Sequence, residues 1–103
     1  MASVKIHWTI TALQQRNHIF EYWNDRNKSK SYSIKLNKRI KERINHLKKF
    51  PDLGIKTDFG NNRSISLGHY SIIYKKIDDS IIITGIWDNR QDPEKLLTFL
   101  KNK

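Results

Sequence analysis

Between Arg63 and Trp87 the chain carries three strand-like runs with almost nothing between them, and this leaves few folds open. Arg63-Ser64-Ile65-Ser66-Leu67 alternates polar and apolar residues, and Gly68-His69 makes a tight turn. Tyr70-Ser71-Ile72-Ile73-Tyr74-Lys75-Lys76 follows, then an Asp78-Asp79 turn, then Ser80 to Trp87. A two-residue connection can join only antiparallel neighbours, because parallel strands need a long crossover. The segment is therefore predicted to be a three-stranded meander. Its Ile81-Ile82-Ile83 run is apolar on both faces, as suits a covered strand inside the sheet.

Upstream, the period changes. Val4-Lys5-Ile6-His7-Trp8 alternates and reads as a first strand. Thr11-Ala12-Leu13-Gln14 has the form of a capping box, and Leu13, Phe20 and Trp23, flanked by Ala12 and Ile19, form an apolar helical stripe. That helix should fade between Asp25 and Ser29. A second begins near Ser29 or Ser31, with Tyr32, Leu36, Ile40, Ile44 and Leu47 spaced by four, four, four and three. Phe50-Pro51 stops it, since a residue before proline disfavours the helical region. A short link between the two helices predicts an antiparallel hairpin. Leu53 to Asn62 reads as loop, punctuated by Gly54, Gly60 and Asn61-Asn62. Asp92-Pro93-Glu94 opens a last helix with a capping acid and proline in its first turn. The predicted order is β-α-α-β-β-β-α, an α+β fold.

The 103 residues suffice for one domain, 1–103, and not two. Twenty Lys and Arg face ten Asp and Glu, a formal charge of +10, and such a field attracts polyanions. Much of it is concentrated around the second helix, where Lys35, Arg39 and Arg43 share a stripe and Glu42 is the only acid. Like charges at i,i+4 cost a few tenths of a kcal/mol per pair, so either solubility or a polyanionic partner compensates. Cysteine is absent, which excludes disulfides and thiol chemistry. There is no apolar run long enough to span a membrane and no signal-peptide core at the start, so a cytoplasmic protein without membrane partners is expected. His7, His18, His46 and His69 lack metal-ligand spacing, and neither a metal nor a cofactor is expected.

These pieces together resemble the RelE/ParE superfamily of toxins from type II toxin–antitoxin systems. The resemblance spans nearly the whole chain: Trp8 with Ala12-Leu13, Ile19 and Tyr22; Ile44, Leu47 and Phe50-Pro51; Gly54; Arg63; then Gly68-His69-Tyr70-Ser71-Ile72-Ile73-Tyr74. Ile83 to Trp87 leads into Asp88-Asn89-Arg90-Gln91-Asp92-Pro93. The resemblance implies a mostly antiparallel four-stranded sheet with the helical hairpin packed on one face. It also implies a cognate antitoxin, usually acidic, which fits the positive charge. Phe20, Trp23, Leu36 and Ile40 are candidate antitoxin contacts, although the same residues suit the core between helices and sheet.

Two activities are implied. A RelE-like ribosome-dependent endoribonuclease cleaves mRNA by 2′-hydroxyl attack on phosphate, which needs an acid, a base and clustered cations. That branch places an arginine directly after the hairpin tyrosine and a tyrosine or histidine near the C-terminus. This chain has Ser71 after Tyr70, and neither Tyr nor His beyond Trp87. Arg90 and Arg63 remain as candidate catalytic cations, with His69 as candidate acid or base. A ParE-like toxin, by implication, acts on DNA gyrase without such a constellation. Lys35, Arg39, Arg43, Lys56 and Lys75 are candidate contacts to nucleic acid or another target. Arg90 could also pair with Asp88 or Asp92, and Arg63 could simply be a solvated strand-edge charge.

Overall fold

In the computed structural model the described residues are 4–57 and 60–90. They form β1 (Lys5–Trp8), α1 (Ile10–Asn27), α2 (Ser31–Lys49), β2 (Ile55–Lys56), β3 (Asn62–Leu67), β4 (Tyr70–Ile77) and β5 (Ser80–Asp88). The helix expected from Asp92 lies outside the described residues.

The sheet order is β1-β5-β4-β3-β2. The meander β3-β4-β5 is antiparallel throughout, and β1 joins its free side in parallel with β5, Ile6 opposite Ile81 and Trp8 opposite Ile83. β5 thus lies inside the sheet, paired on both edges, with Ile81, Ile83 and Ile86 buried and Ile82 on the opposite face only half-buried. The sheet has five strands rather than four, because Ile55–Lys56 pairs antiparallel with Arg63 and Ser64. Residues predicted as loop take this place because neighbours pin them. The Tyr74 hydroxyl accepts from the Gly54 amide at 2.8 Å and donates to the Pro51 carbonyl at 2.9 Å, and the Arg63 Nη1 donates to the Gly54 carbonyl at 2.8 Å. Held there, the chain completes two rungs of ladder beside β3.

The α1–α2 hairpin packs on one face of the sheet. Leu36, Ile40, Ile44 and Leu47 of α2 and Ala12 of α1 meet Ile65, Leu67, Tyr70, Ile72, Tyr74, Ile81, Ile83 and Ile86 in one core. Burying each large aliphatic side chain stabilises the fold by about 1.5–3 kcal/mol. The Ser33 hydroxyl, buried between the helices, bonds the Phe20 carbonyl and Asn24 Oδ1. Lys28 ends α1 in the left-handed region at φ 51°.

α1 starts earlier than the Thr11 capping pattern suggests. Thr9 is the N-cap: its Oγ1 accepts from the Ala12 amide and donates to the Ile83 carbonyl, both at 3.1 Å. One hydroxyl thereby caps the helix and fixes its start to β5, an advantage Thr11 lacks. Along the β4–β5 ladder, Ile73 pairs with Gly85 and Tyr74 with Ile83, leaving Thr84 as the extra residue of a bulge. Its buried hydroxyl bonds the Ile73 carbonyl and Asn62 Oδ1, so the interrupted ladder leaves no buried side-chain polar atom unpaired among the described residues.

Candidate functional site

The candidate cations separate along the sheet. Tyr70 opens β4 at the β3–β4 turn and pairs with Asp88, whereas Arg63 pairs with Tyr74, four residues further along. At about 3.3 Å per residue, the two positions are roughly 13 Å apart. They are two sites.

At the turn end, β5 delivers Asp88 and Arg90 beside α1. Arg90 Nε and Nη2 contact Asp88 Oδ1 and Oδ2 at 3.0 and 2.9 Å, a bidentate pair, and the Arg90 amide also donates to Asp88 Oδ1. The Asp-x-Arg spacing produces this locally: an Asp side chain readily bonds backbone two residues on. These bonds hold the Asp88 carboxyl below its ordinary range, despite partial burial, and raise the Arg90 guanidinium further above its own. The Asn89 amide donates to the His69 carbonyl at 2.8 Å, and Ser71 Oγ donates to Asn89 Oδ1 at 2.8 Å, fixing the β5 end to the β3–β4 turn.

Trp23 of α1 closes the other side. Its Nε1 donates to the buried Tyr70 hydroxyl at 2.7 Å, Tyr22 meets it edge-on, and Tyr32 of α2 leans on it at 4.7 Å. The Arg90 and Arg26 guanidiniums each lie 5.9 Å from the Trp23 ring centre, within reach of its negative face. Arg26 Nη1 also donates to the Tyr22 hydroxyl. Burial pushes the Tyr70 hydroxyl above its ordinary value, outweighing the bond from Trp23. A cleft of about 310 Å³ opens here between His18, Ile19, Tyr22, Tyr70, Asp88 and Arg90. Tyr22 is 49% exposed at its rim.

At the far end, Arg63 is committed to the loop after α2. Besides Gly54, its Nη1 approaches the Asp52 carbonyl at 3.3 Å and its Nη2 the Asp52 carboxylate at 3.6 Å. Burial raises the Tyr74 hydroxyl too. Lys56 and Arg63 line a polar hollow of about 350 Å³ with Asp52 and Lys76. Lys75 is half-buried on β4, opposite Asn62 and Ile82.

The predicted residues therefore fall into three groups. Arg90 and His69 share the turn end, with His69 exposed; Arg63, Lys56 and Lys75 lie at the other end. Lys35, Arg39 and Arg43 lie on α2, where Arg43 Nε reaches the Ser66 carbonyl at 3.2 Å. Leu36 and Ile40, expected to meet an antitoxin, are 3% and 2% exposed; they belong to the chain's own core and have no surface to offer. Phe20 and Trp23 are half-buried and retain an outward edge. Sequence reasoning missed Arg26, whose i,i+3 and i,i+4 spacings to Trp23 and Tyr22 were the available signal.

A family model described as the ParE toxin of type II toxin–antitoxin systems, parDE, matches residues 6–93. The chain belongs to the ParE toxin family. The matched range takes in Arg63, Asp88 and Arg90 at both ends of the sheet. Among solved structures, the chromosomal ParDE toxin–antitoxin system from P. aeruginosa resembles this ParE chain with a TM-score of 0.71. That likeness covers 84% of this chain and 96% of the other at 17% identity, and it bears on the fold alone. No curated protein matches the sequence.

Proposed function

We propose that this ParE-family chain is a growth-inhibiting toxin that acts by binding DNA gyrase rather than by cutting RNA, and that a cognate acidic antitoxin restrains it. The observation that carries the reading is the separation of the cations. Cleavage beside a 2′-hydroxyl needs several cations around one phosphate and an acid and base within hydrogen-bond reach. Among the described residues, Arg90 is engaged by Asp88, which pairs with Tyr70, and Arg63, which pairs with Tyr74, is engaged by Gly54 and Asp52; the two pairing positions are offset by roughly 13 Å along β4. A binding surface has no such requirement. The rim of Tyr22, Trp23, Arg26 and Arg90 combines aromatic area with guanidinium groups, the residue types that dominate protein interface energetics. Phe20 and Trp23 supply the apolar contact for the antitoxin, and the +10 charge favours an acidic one.

The test is gyrase supercoiling in vitro with the purified chain. Inhibition by wild type, its loss with Arg90→Ala, and its suppression by the antitoxin are expected. Unimpaired supercoiling together with cleavage of mRNA on purified ribosomes would replace this reading with the RelE-like one.

A further inference from the structure

Seven cations and one acid occupy the 19 residues of α2, and the turn-end site uses none of them. The two ion pairs among the described residues, Arg63–Asp52 and Arg90–Asp88, also lie elsewhere. We propose that the outer face of α2 is a binding surface for duplex DNA, contacting phosphates on both sides of a groove.

The distribution of charge supports this partner. Lys41 and Lys48 flank the buried Ile40–Ile44 stripe on the side of β1, where they border a hollow with Ile6 and Trp8. Lys35 and Arg39 flank it on the other side, and the Arg39 Nη2 reaches 3.7 Å from where a Cβ on Gly68 would stand. Lys38 lies between these flanks, away from the core. Cations thus line both sides of a cylinder about 10–12 Å across, and the DNA major groove, about 12 Å wide, admits such a helix between its phosphate ribbons. The chemistry of the face argues against a protein partner. Interface cores between proteins are depleted in lysine and anchored by buried aromatic or apolar groups. Here lysine predominates, and Ile34 is the one large apolar side chain exposed within α2. Phosphate contacts need mobile point charges and no apolar anchor, and each displaces condensed counterions. The binding is sequence-independent, because backbone contacts position a protein without reading bases.

Duplex binding by α2 does not depend on toxicity and is measured on the purified chain with DNA alone. The experiment follows the anisotropy of a labelled mixed-sequence duplex across a salt series. It compares wild type, Lys38→Gln/Lys41→Gln on α2, and Lys5→Gln/Lys76→Gln on the sheet, which removes the same charge. Glutamine has nearly the helix propensity of lysine, and circular dichroism checks that the helices persist. Wild type should bind with a steep salt dependence. The α2 variant should lose roughly 0.9 of a log–log unit of slope per phosphate contact, about two units in all. The sheet variant should keep the wild-type slope. Equal losses in both variants would reduce the effect to net charge and overturn the proposal, as would an unchanged slope in the α2 variant. Absence of duplex binding alongside α2-dependent binding of a polyglutamate peptide would overturn it in favour of an acidic protein.

Discussion

Arg90 is oriented before any partner arrives. Its guanidinium is held by both oxygens of Asp88 and lies over Trp23, so a partner meets a fixed planar group rather than a mobile one. The same pair makes stability depend on acid. The folded Asp88 pKa is depressed below its ordinary 3.8, so its contribution is present above that pH and is lost as pH falls through the folded value. Thermal unfolding of wild type across acidic pH should therefore show a decline that Arg90→Gln flattens; coincident profiles would mean the pair is not formed in solution. Tyr70 has the opposite sign. Its folded pKa is raised above 10.0, so its contribution is complete below that pH and is lost as pH rises through the folded value. Tyr70→Phe should flatten the alkaline decline in stability and change the fluorescence of Trp23, whose indole N–H loses its acceptor. Unaltered Trp23 emission would contradict the bond.

At the scale of elements, the segment after α2 shows where sequence reading stops. Nothing in Leu53 to Asn62 alternates, yet Ile55–Lys56 becomes an edge strand because Tyr74 and Arg63, remote in sequence, bind Gly54 from both sides. Such tertiary bonds have no local pattern. Gly54 itself is required by space: a Cβ there would stand 2.6 Å from the Tyr74 hydroxyl oxygen. Gly54→Ala should cost about 1–3 kcal/mol by overpacking, and Tyr74→Phe about 1–3 kcal/mol by leaving buried backbone groups unpaired. Chemical denaturation measures both, and a loss below about 0.5 kcal/mol in each would show that the clamp contributes little. By contrast, the meander, apart from its Thr84 bulge, and the inward face of α2 are legible in the sequence. Two-residue turns fix strand neighbours, and the spacing of Tyr32, Leu36, Ile40, Ile44 and Leu47 fixes which face of α2 is inward. That pattern also counts against Leu36 and Ile40 as partner contacts, since a regular apolar stripe is satisfied first by its own sheet. The Thr11 pattern places the N-cap of α1 two residues late. Thr11 has the capping-box spacing, but Thr9 alone can also reach Ile83.

For the whole molecule, the family is established by a match across residues 6–93 and the fold agrees with a ParDE structure. The Arg90 position was legible as a motif, Asp-x-Arg after the last strand; its environment was not. Trp23, Arg26 and Tyr70 come from α1 and β4 and meet Arg90 only once the hairpin packs on the sheet. We propose that this assembled rim is the toxin's contact with its target, with no chemistry on RNA. The most direct measurement induces wild type and Arg90→Ala in bacteria and follows growth, the DNA-damage response and bulk mRNA decay together. Wild type should arrest growth and raise the damage response while mRNA persists, and Arg90→Ala, equally folded, should do neither. Rapid mRNA loss without a damage response, or full toxicity of Arg90→Ala, would contradict it.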